Sequence, residues 1–292
     1  MLKYILIVVL GAISYGTLTS FAKIAYGQGY TAGEITFAQA GMGSLVLWTG
    51  AMFGRIKRKR RPRILFEWKL ILAGASMGIS AYCFYLSVKF IPIALAIVLL
   101  MQVSWISNIG ECILFKKKFS KLELLCTVII ILGTILASNL LNVNNTCYSL
   151  KGIALASAAA VLYTIYVLAT SKLGNKLPML EKSALMTTGS AIMILGINFP
   201  SIIGSTHFDL GLLKWGTFLA LFGTVIPPLC FTIGMPKIGP GLSAILLTME
   251  LPAVVLSAYL ILGEKVTLPQ ILGILIMILA IIYLNLAKRY QK

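Results

Sequence analysis

Long apolar runs constrain this chain more than any other feature of its sequence. A helix needs about 20 mostly apolar residues to cross a bilayer, and ten stretches of that kind follow one another along the chain. The connections between them are short and carry Gly, Pro, Asn or Lys, so no water-soluble domain interrupts the series. The sequence predicts an all-α integral membrane protein with ten transmembrane helices, segments 1 to 10, at residues 4–25, 31–54, 69–90, 93–115, 122–141, 152–171, 183–203, 214–235, 241–262 and 268–287.

The composition supports a lipid environment for most of the chain. Hydrophobic residues make up 59% of the sequence and charged residues only 11%, whereas soluble domains carry about 25% charged residues. A chain of 292 residues with this composition lacks the polar surface to cover a water-soluble fold. The five cysteines form no C-x-x-C pair, and no catalytic cluster or phosphate-binding loop is recognisable. We therefore expect no metal, no cofactor and no enzyme activity.

The basic residues are distributed unevenly between the two sides of the predicted membrane. If residue 1 lies in the cytoplasm, 20 of the 25 Lys and Arg residues fall on the cytoplasmic side and 5 outside. This bias follows the positive-inside rule, and it predicts a multi-pass protein of the cell membrane with both termini in the cytoplasm. Topology thus explains the net charge of +17, and we interpret the basic run at 55–63 as a cytoplasmic anchor rather than a nucleic-acid contact.

The two halves of the chain resemble each other. Residues 84–138 and 231–285 share a helix end, a proline-containing tight link, a helix rich in small residues, a charged turn and a final helix. Five helices separate equivalent points, and because five is odd, the two halves must have opposite orientations in the membrane. We expect two inverted five-helix repeats, at 1–145 and 146–292, an architecture found in many secondary transporters.

Two short motifs in the second half carry a family resemblance. The Met-Glu-Leu-Pro sequence at 249–252 and the Leu-Gly-Glu-Lys sequence at 262–265 resemble the Glu-Pro helix and the Gly-Glu turn of the EamA-type branch of the drug/metabolite transporter superfamily. The likeness in length and helix count covers essentially the whole chain. The first half departs from this pattern, because Gln102 stands near the place of Glu250 and Ser104 replaces the proline. The acidic features are therefore confined to the second half.

The resemblance implies a membrane transporter of small organic solutes. It implies a central cavity that opens to one side at a time, lined by segments 1, 3, 4, 6, 8 and 9, with segments 5 and 10 at the periphery. Members of the family move amino acids, other metabolites, nucleobase-like compounds, quaternary amines or drugs, and the fold alone does not choose among them.

Polar residues near the middle of the segments are the candidates for a solute site, because transporter sites lie near the midplane between the repeats. Several aromatic residues, including Tyr85, could surround an organic cation, with ordinary packing as the alternative for each. The predicted substrate-binding residues are Tyr15, Tyr82, Gln102, Trp105, Asn108, Tyr163, Tyr166, Thr224 and Glu250.

Glu250 is the sharpest of these candidates. An acidic side chain near the centre of a spanning helix costs a few kcal/mol on insertion scales. Burial favours its protonated form, so it could exchange a proton near neutral pH. The functional interpretations are proton coupling or pairing with a cationic substrate. The alternative is a structural role, in which Glu250 accepts hydrogen bonds from a neighbouring helix or from backbone groups freed by Pro252.

Two further patterns concern helix faces and helix kinks. Gln102, Trp105 and Asn108 recur at i, i+3 and i+6, which suits either recognition of a polar solute or hydrogen bonding between helices.

Prolines kink helices, so the residues that could form a gate, or a static kink, are Pro227, Pro228 and Pro252.

Small residues at spacing four permit close helix contact, within the chain or between two copies in a homodimer. The two pairs of this kind are Gly50 with Gly54 and Gly74 with Gly78.

Three function hypotheses follow from these observations. The first is a secondary transporter that exports amino acids or related metabolites by alternating access, with proton coupling through Glu250. The second is an importer of an organic cation, a quaternary or primary amine, bound by the aromatic residues and Glu250. The third is a membrane scaffold or lipid-handling subunit, whose signature would be a collapsed interior without a cavity.

Overall fold

The computed structural model describes residues 1–57, 67–87, 89–91, 93–116, 121–138, 149–203, 209–263 and 265–290. Within these residues the chain folds into ten helical segments close to the predicted ones, which confirms the fold class. The segments are Leu2–Gly27, Ala32–Lys57, Trp68–Ser87, Ile93–Leu100 with Val103–Phe115, Lys121–Ala137, Leu150–Lys172, Met179–Ile203, Leu210–Ile238, Pro240–Leu247 with Glu250–Leu262, and Leu268–Tyr290.

Six of the segments in the described part of the chain are long and apolar enough to cross a bilayer by themselves, namely 1, 3, 4, 6, 8 and 9. Their most apolar stretches have a mean hydropathy between 1.5 and 2.1. Segments 2 and 7 each begin with an acidic residue in the first turn, Glu34 and Glu181. Most of the predicted basic anchor and the predicted repeat boundary at 145 and 146 lie outside the described residues.

Three of the five helix starts in the first half are related to their counterparts in the second half by an offset of 147 residues. Segments 2, 4 and 5 begin at Ala32, Ile93 and Lys121, and segments 7, 9 and 10 begin 147 residues later. This register refines the sequence comparison by one residue, because Val103 rather than Gln102 is equivalent to Glu250, and Trp105 rather than Ser104 is equivalent to Pro252.

The packing of the segments repeats the same relationship. Segment 1 packs against segments 8 and 9, and segment 6 packs against segments 3 and 4. Segments 2 and 7 pack against each other, as do segments 5 and 10. Exchanging segments 1–5 with segments 6–10 leaves this list of contacts unchanged. Two five-helix units therefore pack about a pseudo-twofold axis, and the odd number of crossings between equivalent points inverts one relative to the other.

Segments 4 and 9 are each broken by a tight turn. In segment 9, Pro252 has no N–H for the Thr248 carbonyl, and the Leu251 N–H donates to that carbonyl instead at 3.2 Å. Segment 4 breaks at the equivalent point without a proline. There the Gln102 amide nitrogen donates to the Val98 carbonyl at 2.8 Å and satisfies an acceptor within the helix.

Segment 8 contains a π-helical turn, Ala220–Val225, directly before Pro227 and Pro228. Two consecutive prolines remove two backbone donors, and a widened turn is one way in which a helix absorbs that loss. The irregular backbone therefore begins seven residues before Pro227 and ends two residues before it.

The small-residue pairs serve contacts within the chain. Gly74 and Gly78 of segment 3 lie against the backbone of segment 7, at Met186 and Ser190. A Cβ atom at Gly74 would collide with the Met186 carbonyl, so only glycine permits this approach. Gly50 and Gly54 face the Leu180 side chain of the same segment 7.

Candidate functional site

The described residues enclose a cavity of about 100 Å³ between the two repeats. Pockets for drug-sized ligands measure roughly 300–1,000 Å³, so this cavity has room for a few water molecules or one small solute. Three segments of each repeat form its wall. The lining residues are Tyr15, Leu18, Thr19, Thr36, Gln39, Ala40, Met77, Ala81, Tyr85, Tyr166, Met186, Thr187, Ser190, Ile194, Gly223, Thr224, Pro227, Pro228 and Phe231.

The set of lining segments differs from the expected one. Segments 1, 3, 6 and 8 contribute as expected, but segments 2 and 7 stand in the places expected for segments 4 and 9. The physical reason is packing, because the second half of segment 4 and the first half of segment 9 contact each other. Segments 2 and 7 instead contact each other across the pseudo-twofold axis and reach the centre.

Five of the predicted substrate-binding and gating residues line this cavity, namely Tyr15, Tyr166, Thr224, Pro227 and Pro228, and so does Tyr85 of the suggested aromatic surround. Their segments bring aromatic hydroxyls to one part of the wall and the irregular backbone of segment 8 to another. Thr224 directly follows Gly223 in the π-helical turn, so the turn itself faces the cavity.

Sequence reasoning missed the contributions of segments 2 and 7. The amide nitrogen of Gln39 donates to the Thr224 hydroxyl at 3.2 Å, which joins the two repeats at the cavity wall. Thr187 and Ser190 add two more hydroxyls from segment 7. Gln39, like Gln102, is a glutamine inside an apolar segment. This feature was the signal in the sequence that could have identified Gln39 as a residue of the cavity wall.

Glu250 lies behind the cavity wall and is 5% exposed. The Tyr163 hydroxyl, 1% exposed, donates to the Glu250 Oε1 atom at 2.6 Å. Tyr15 and Tyr166, which line the cavity, lie within electrostatic range of the Glu250 carboxyl. Glu250 and Tyr163 are therefore in direct contact beside the cavity, and Tyr15 and Tyr166 lie between the cavity and the carboxyl.

The backbone of Glu250 is held by a close approach of two segments. Gly16 of segment 1 lies against the Glu250 carbonyl, and a Cβ atom at this position would collide with that oxygen and with the Ala253 side chain. One turn further along, the hydroxyls of Ser20 and Ser257 are 2.8 Å apart. Segment 1 of the first repeat thus packs closely against the backbone that carries Glu250 in the second repeat.

The predicted stripe on segment 4 lies away from the cavity. Each of its members forms a hydrogen bond inside its own segment: Gln102 to the Val98 carbonyl, the Trp105 indole to the Gln102 amide oxygen at 2.6 Å, and the Asn108 amide to the Ser104 carbonyl at 2.9 Å. Trp105 is 37% exposed. These contacts accommodate the break in segment 4, which the pattern in the sequence did not reveal.

The two remaining predictions concern single positions. Tyr82 is absent from the cavity wall, where its neighbours Ala81 and Tyr85 take part. Ala81 and Tyr85 are four positions apart, so they share one helix face, and Tyr82 lies on another. Pro252 is buried in segment 9, two residues after Glu250, and it belongs to the break rather than to the cavity wall.

Contacts between the repeats also lie at both ends of the bundle. At one end, the Tyr30 hydroxyl donates to Asp209 Oδ1 at 2.8 Å, and the Trp215 indole donates to Gln28 at 2.7 Å. Hydrogen bonds from the Leu212 backbone N–H and from Tyr30 hold the pKa of Asp209 below its usual range.

At the other end of the bundle, the Gly241 backbone N–H donates to the Glu111 carboxylate at 3.0 Å. This bond joins segment 4 of the first repeat to the N-terminus of segment 9, where the helix dipole favours a negative charge.

The fold and the central cavity define a class of membrane transporter built from two inverted five-helix repeats. The sequence model of the EamA-like transporter family matches residues 2–139 and 150–286. The chain belongs to this family, which lies in the drug/metabolite transporter superfamily. Its members are transporters of small solutes in membranes rather than enzymes.

One solved structure, titled only "Crystal structure of protein", is similar with 13% identity and a TM-score of 0.72, over 96% of this chain and 98% of that one. At this identity the likeness supports the fold alone. No functionally curated protein matches the chain.

Proposed function

We propose that this protein is a secondary transporter that exports amino acids or related small metabolites by alternating access, with a proton moving inward through Glu250. The observation that carries the proposal is the buried Glu250 carboxyl, which accepts a hydrogen bond from Tyr163 directly behind a cavity shared by the two repeats. Among the described residues no Lys, Arg or His pairs with Glu250, and a buried carboxyl without such a partner is stable when protonated and costly when ionised. It is therefore suited to carrying a proton.

Coupling requires that the environment of Glu250 changes during the cycle. The Tyr163 O–H stabilises the ionised carboxylate, and segment 1 holds the Glu250 backbone through Gly16. A movement of one repeat against the other changes the contact between segments 1 and 9, and with it the cost of ionising the carboxyl. Exchange of a proton for a solute then uses the inward proton gradient to drive export.

Alternating access also requires contacts that open one at a time. The contacts of Tyr30 with Asp209 and of Glu111 with Gly241 join the two repeats at opposite ends of the bundle. The pKa of Asp209 is lower in the folded protein than in the unfolded chain. The stability that the ionised Asp209 contributes is therefore fully present above its unfolded pKa of about 3.9, and it is lost only as the pH falls through the lower folded pKa.

The test is flux of labelled amino acids in proteoliposomes, with and without a pH gradient. We expect Glu250→Gln to abolish the acceleration by the gradient, while exchange in the absence of a gradient persists. Tyr163→Phe should weaken the acceleration, because it removes only the donated hydrogen bond. Tyr259→Phe is the matched control, since Tyr259 is 53% exposed on the surface of segment 9. An unchanged response of Glu250→Gln to the gradient would refute the coupling.

A second candidate function is import of an organic cation. It is favoured by the aromatic side chains of Tyr15, Tyr85 and Tyr166 in the cavity wall, with the Glu250 carboxyl behind them. Uptake of a primary or quaternary amine that depends on Glu250 and is competitive with protons would favour this function. The signature expected for a scaffold or lipid-handling subunit was a collapsed interior, whereas the described residues enclose a cavity.

We further infer that the protein lies in the plasma membrane with both termini in the cytoplasm, on the strength of the 20-to-5 distribution of Lys and Arg. Reporter fusions at residues 1 and 292 test this orientation, with a reporter active only in the cytoplasm and another active only outside. Activity of the external reporter at either end would contradict the inferred topology.

A further inference from the structure

The wall of the cavity carries no formal charge among its described lining residues, which include no Lys, Arg, His, Asp or Glu. Its polar groups are the Gln39 amide, three tyrosine hydroxyls and the hydroxyls of Thr19, Thr36, Thr187, Ser190 and Thr224. Moving a charged group from water into such a site is costly unless a partner of opposite charge compensates for it. The wall therefore selects against solutes with a net charge.

The same wall has hydrogen-bonding capacity to spare. The hydroxyls of Tyr15 and Ser190 form no hydrogen bond within the described residues, although both side chains line the cavity. The Gln39 amide uses one N–H on Thr224, which leaves its second N–H and its carbonyl oxygen for another partner. These three groups offer both donors and acceptors to a bound molecule.

An apolar part of the wall lies beside these groups. Met77, Met186 and Phe231 contribute two thioethers and an aromatic ring to the cavity. Thioether side chains adapt to irregular shapes and make favourable contacts with aromatic rings. A ligand with a flat apolar body and one polar end fits this division better than a fully polar ligand does.

Glu250 does not supply the missing charge to the cavity. Its carboxyl accepts the hydrogen bond from Tyr163, and the residue is absent from the cavity lining. Tyr15 and Tyr166, which do line the cavity, lie within electrostatic range of this carboxyl. This arrangement suits a carboxyl that exchanges protons rather than one that pairs with a charged group of the solute.

We propose that the solute of this cavity is a small molecule without net charge, whose amide, hydroxyl or zwitterionic end binds Tyr15, Gln39 and Ser190 and whose apolar body contacts Met77, Met186 and Phe231. The proposal rests on the proposed function, because it names the substrate class of the same cavity. It excludes the organic-cation alternative, which needs a positive charge in this place.

The test is equilibrium binding to the purified full-length protein in lipid nanodiscs, at one pH and without any gradient. Benzamide, benzoate and benzylamine are suitable probes, because they share a ring and are similar in size but are neutral, anionic and cationic at pH 7. We expect benzamide to bind at least tenfold more tightly than either charged analogue. Equal or weaker binding of benzamide, including no measurable binding, overturns the proposal, and a preference for benzylamine supports the organic-cation function instead.

Variants assign the binding to this cavity. Gln39→Leu and Ser190→Ala each remove one hydrogen-bonding group, and each should weaken benzamide binding by about tenfold. Gln102→Leu is the matched control, because Gln102 is also an intramembrane glutamine but lies outside the cavity wall. If Gln39→Leu fails to fold, Ser190→Ala carries the test. Equal affinities of Ser190→Ala, Gln102→Leu and the unaltered protein would overturn the assignment.

This experiment is independent of the test of proton coupling. If benzamide binding depends on Gln39 and Ser190 while flux is indifferent to Glu250→Gln, the substrate class stands and the coupling fails. If flux responds to Glu250→Gln while the neutral probe has no advantage, the coupling stands and the substrate class fails.

Discussion

Segments 4 and 9 occupy equivalent places in the two repeats, and they differ in what interrupts them. Both break after eight residues, and both resume for 13 residues that end in a left-handed cap. In segment 9 the break after Leu247 is followed by Glu250 as the first helical residue and by Pro252 two residues later, whereas segment 4 has Val103 and Trp105 at these positions. The shape of the helix is thus common to the repeats, and the acidic chemistry is not.

The comparison separates the shape of the helix from the acidic residue that only one repeat carries. A break that persists without proline depends on its surroundings, and in segment 4 the Gln102 side chain supplies the hydrogen bond that the tight turn needs. The carboxyl of Glu250, in contact with Tyr163, occurs in one repeat only, so the shape of the broken helix does not depend on it. The first repeat shows that the same helix forms without it.

The largest effect is expected where segments 1 and 9 touch through backbone. Gly16→Val places side-chain atoms against the Glu250 carbonyl, which cannot move without displacing segment 9. We expect destabilisation of more than about 3 kcal/mol, seen as loss of a monodisperse peak in detergent. Elsewhere in the packing of segments 6 and 4, which corresponds to that of segments 1 and 9, Gly110 meets only the end of the Leu168 side chain. Gly110→Val should therefore cost much less.

Gly41→Val is the control for this pair of variants. Gly41 lies in the middle of segment 2, and nothing stands within 4 Å of a Cβ atom built there. A valine at this position tests the loss of a glycine from a spanning helix without a collision. If Gly16→Val were as stable as Gly41→Val, the close approach of segments 1 and 9 would be refuted.

The second prediction tests the equivalence of the two breaks. Trp105→Pro puts a proline at the position equivalent to Pro252. The Trp105 N–H donates a bond of 3.2 Å to the Gln102 carbonyl, which also accepts from the Ile106 N–H. Loss of this hydrogen bond should make Trp105→Pro about 1 kcal/mol less stable than Trp105→Ala. Ile109→Pro, one turn further into the helix, should lower the stability by about 3 kcal/mol or more. Thermal unfolding in detergent measures the three variants.

Equal losses for Trp105→Pro and Ile109→Pro would show that segment 4 behaves as an uninterrupted helix. The break would then belong to segment 9 alone, and the offset of 147 residues would not extend to the backbone hydrogen bonds.

The sequence predicted the number of segments, their boundaries within a few residues and the repeat, because length and hydropathy decide whether a helix can cross a bilayer. It did not predict the break in segment 4, since Gln102 and Trp105 carry no breaking signal and were interpreted as a binding stripe. It also placed Tyr82 at the cavity together with Tyr85, of which only Tyr85 lines it, because helix rotation depends on packing partners and not on the segment's own residues. Glu250 was recognisable because a buried acid is costly anywhere in the membrane.

The third prediction concerns the hydrogen bonds that replace proline in segment 4. Gln102→Leu leaves the Val98 carbonyl without its side-chain donor and the Trp105 indole without its acceptor. We expect a loss of about 1–2 kcal/mol in stability with solute binding unchanged. Trp105→Phe removes the indole N–H and part of the ring but leaves the bond from Gln102 to the Val98 carbonyl, and it should cost less. Full stability of Gln102→Leu would mean that the tight turn does not depend on the glutamine.

The smallest effect is expected at the ends of segments 4 and 9, where the two repeats share one backbone conformation but differ in the residue that adopts it. Both segments end in the left-handed region, with Lys116 at φ 52° and Gly263 at φ 67°. This region costs a residue with a Cβ atom roughly 1 kcal/mol, and it costs glycine almost nothing. Lys116→Gly should therefore raise the stability by up to about 1 kcal/mol, and Gly263→Ala should lower it by a similar amount. Stability changes of opposite sign for these two variants would show that the left-handed cap is a property of the shared fold. A loss of stability in Lys116→Gly would show instead that the lysine side chain has a role of its own.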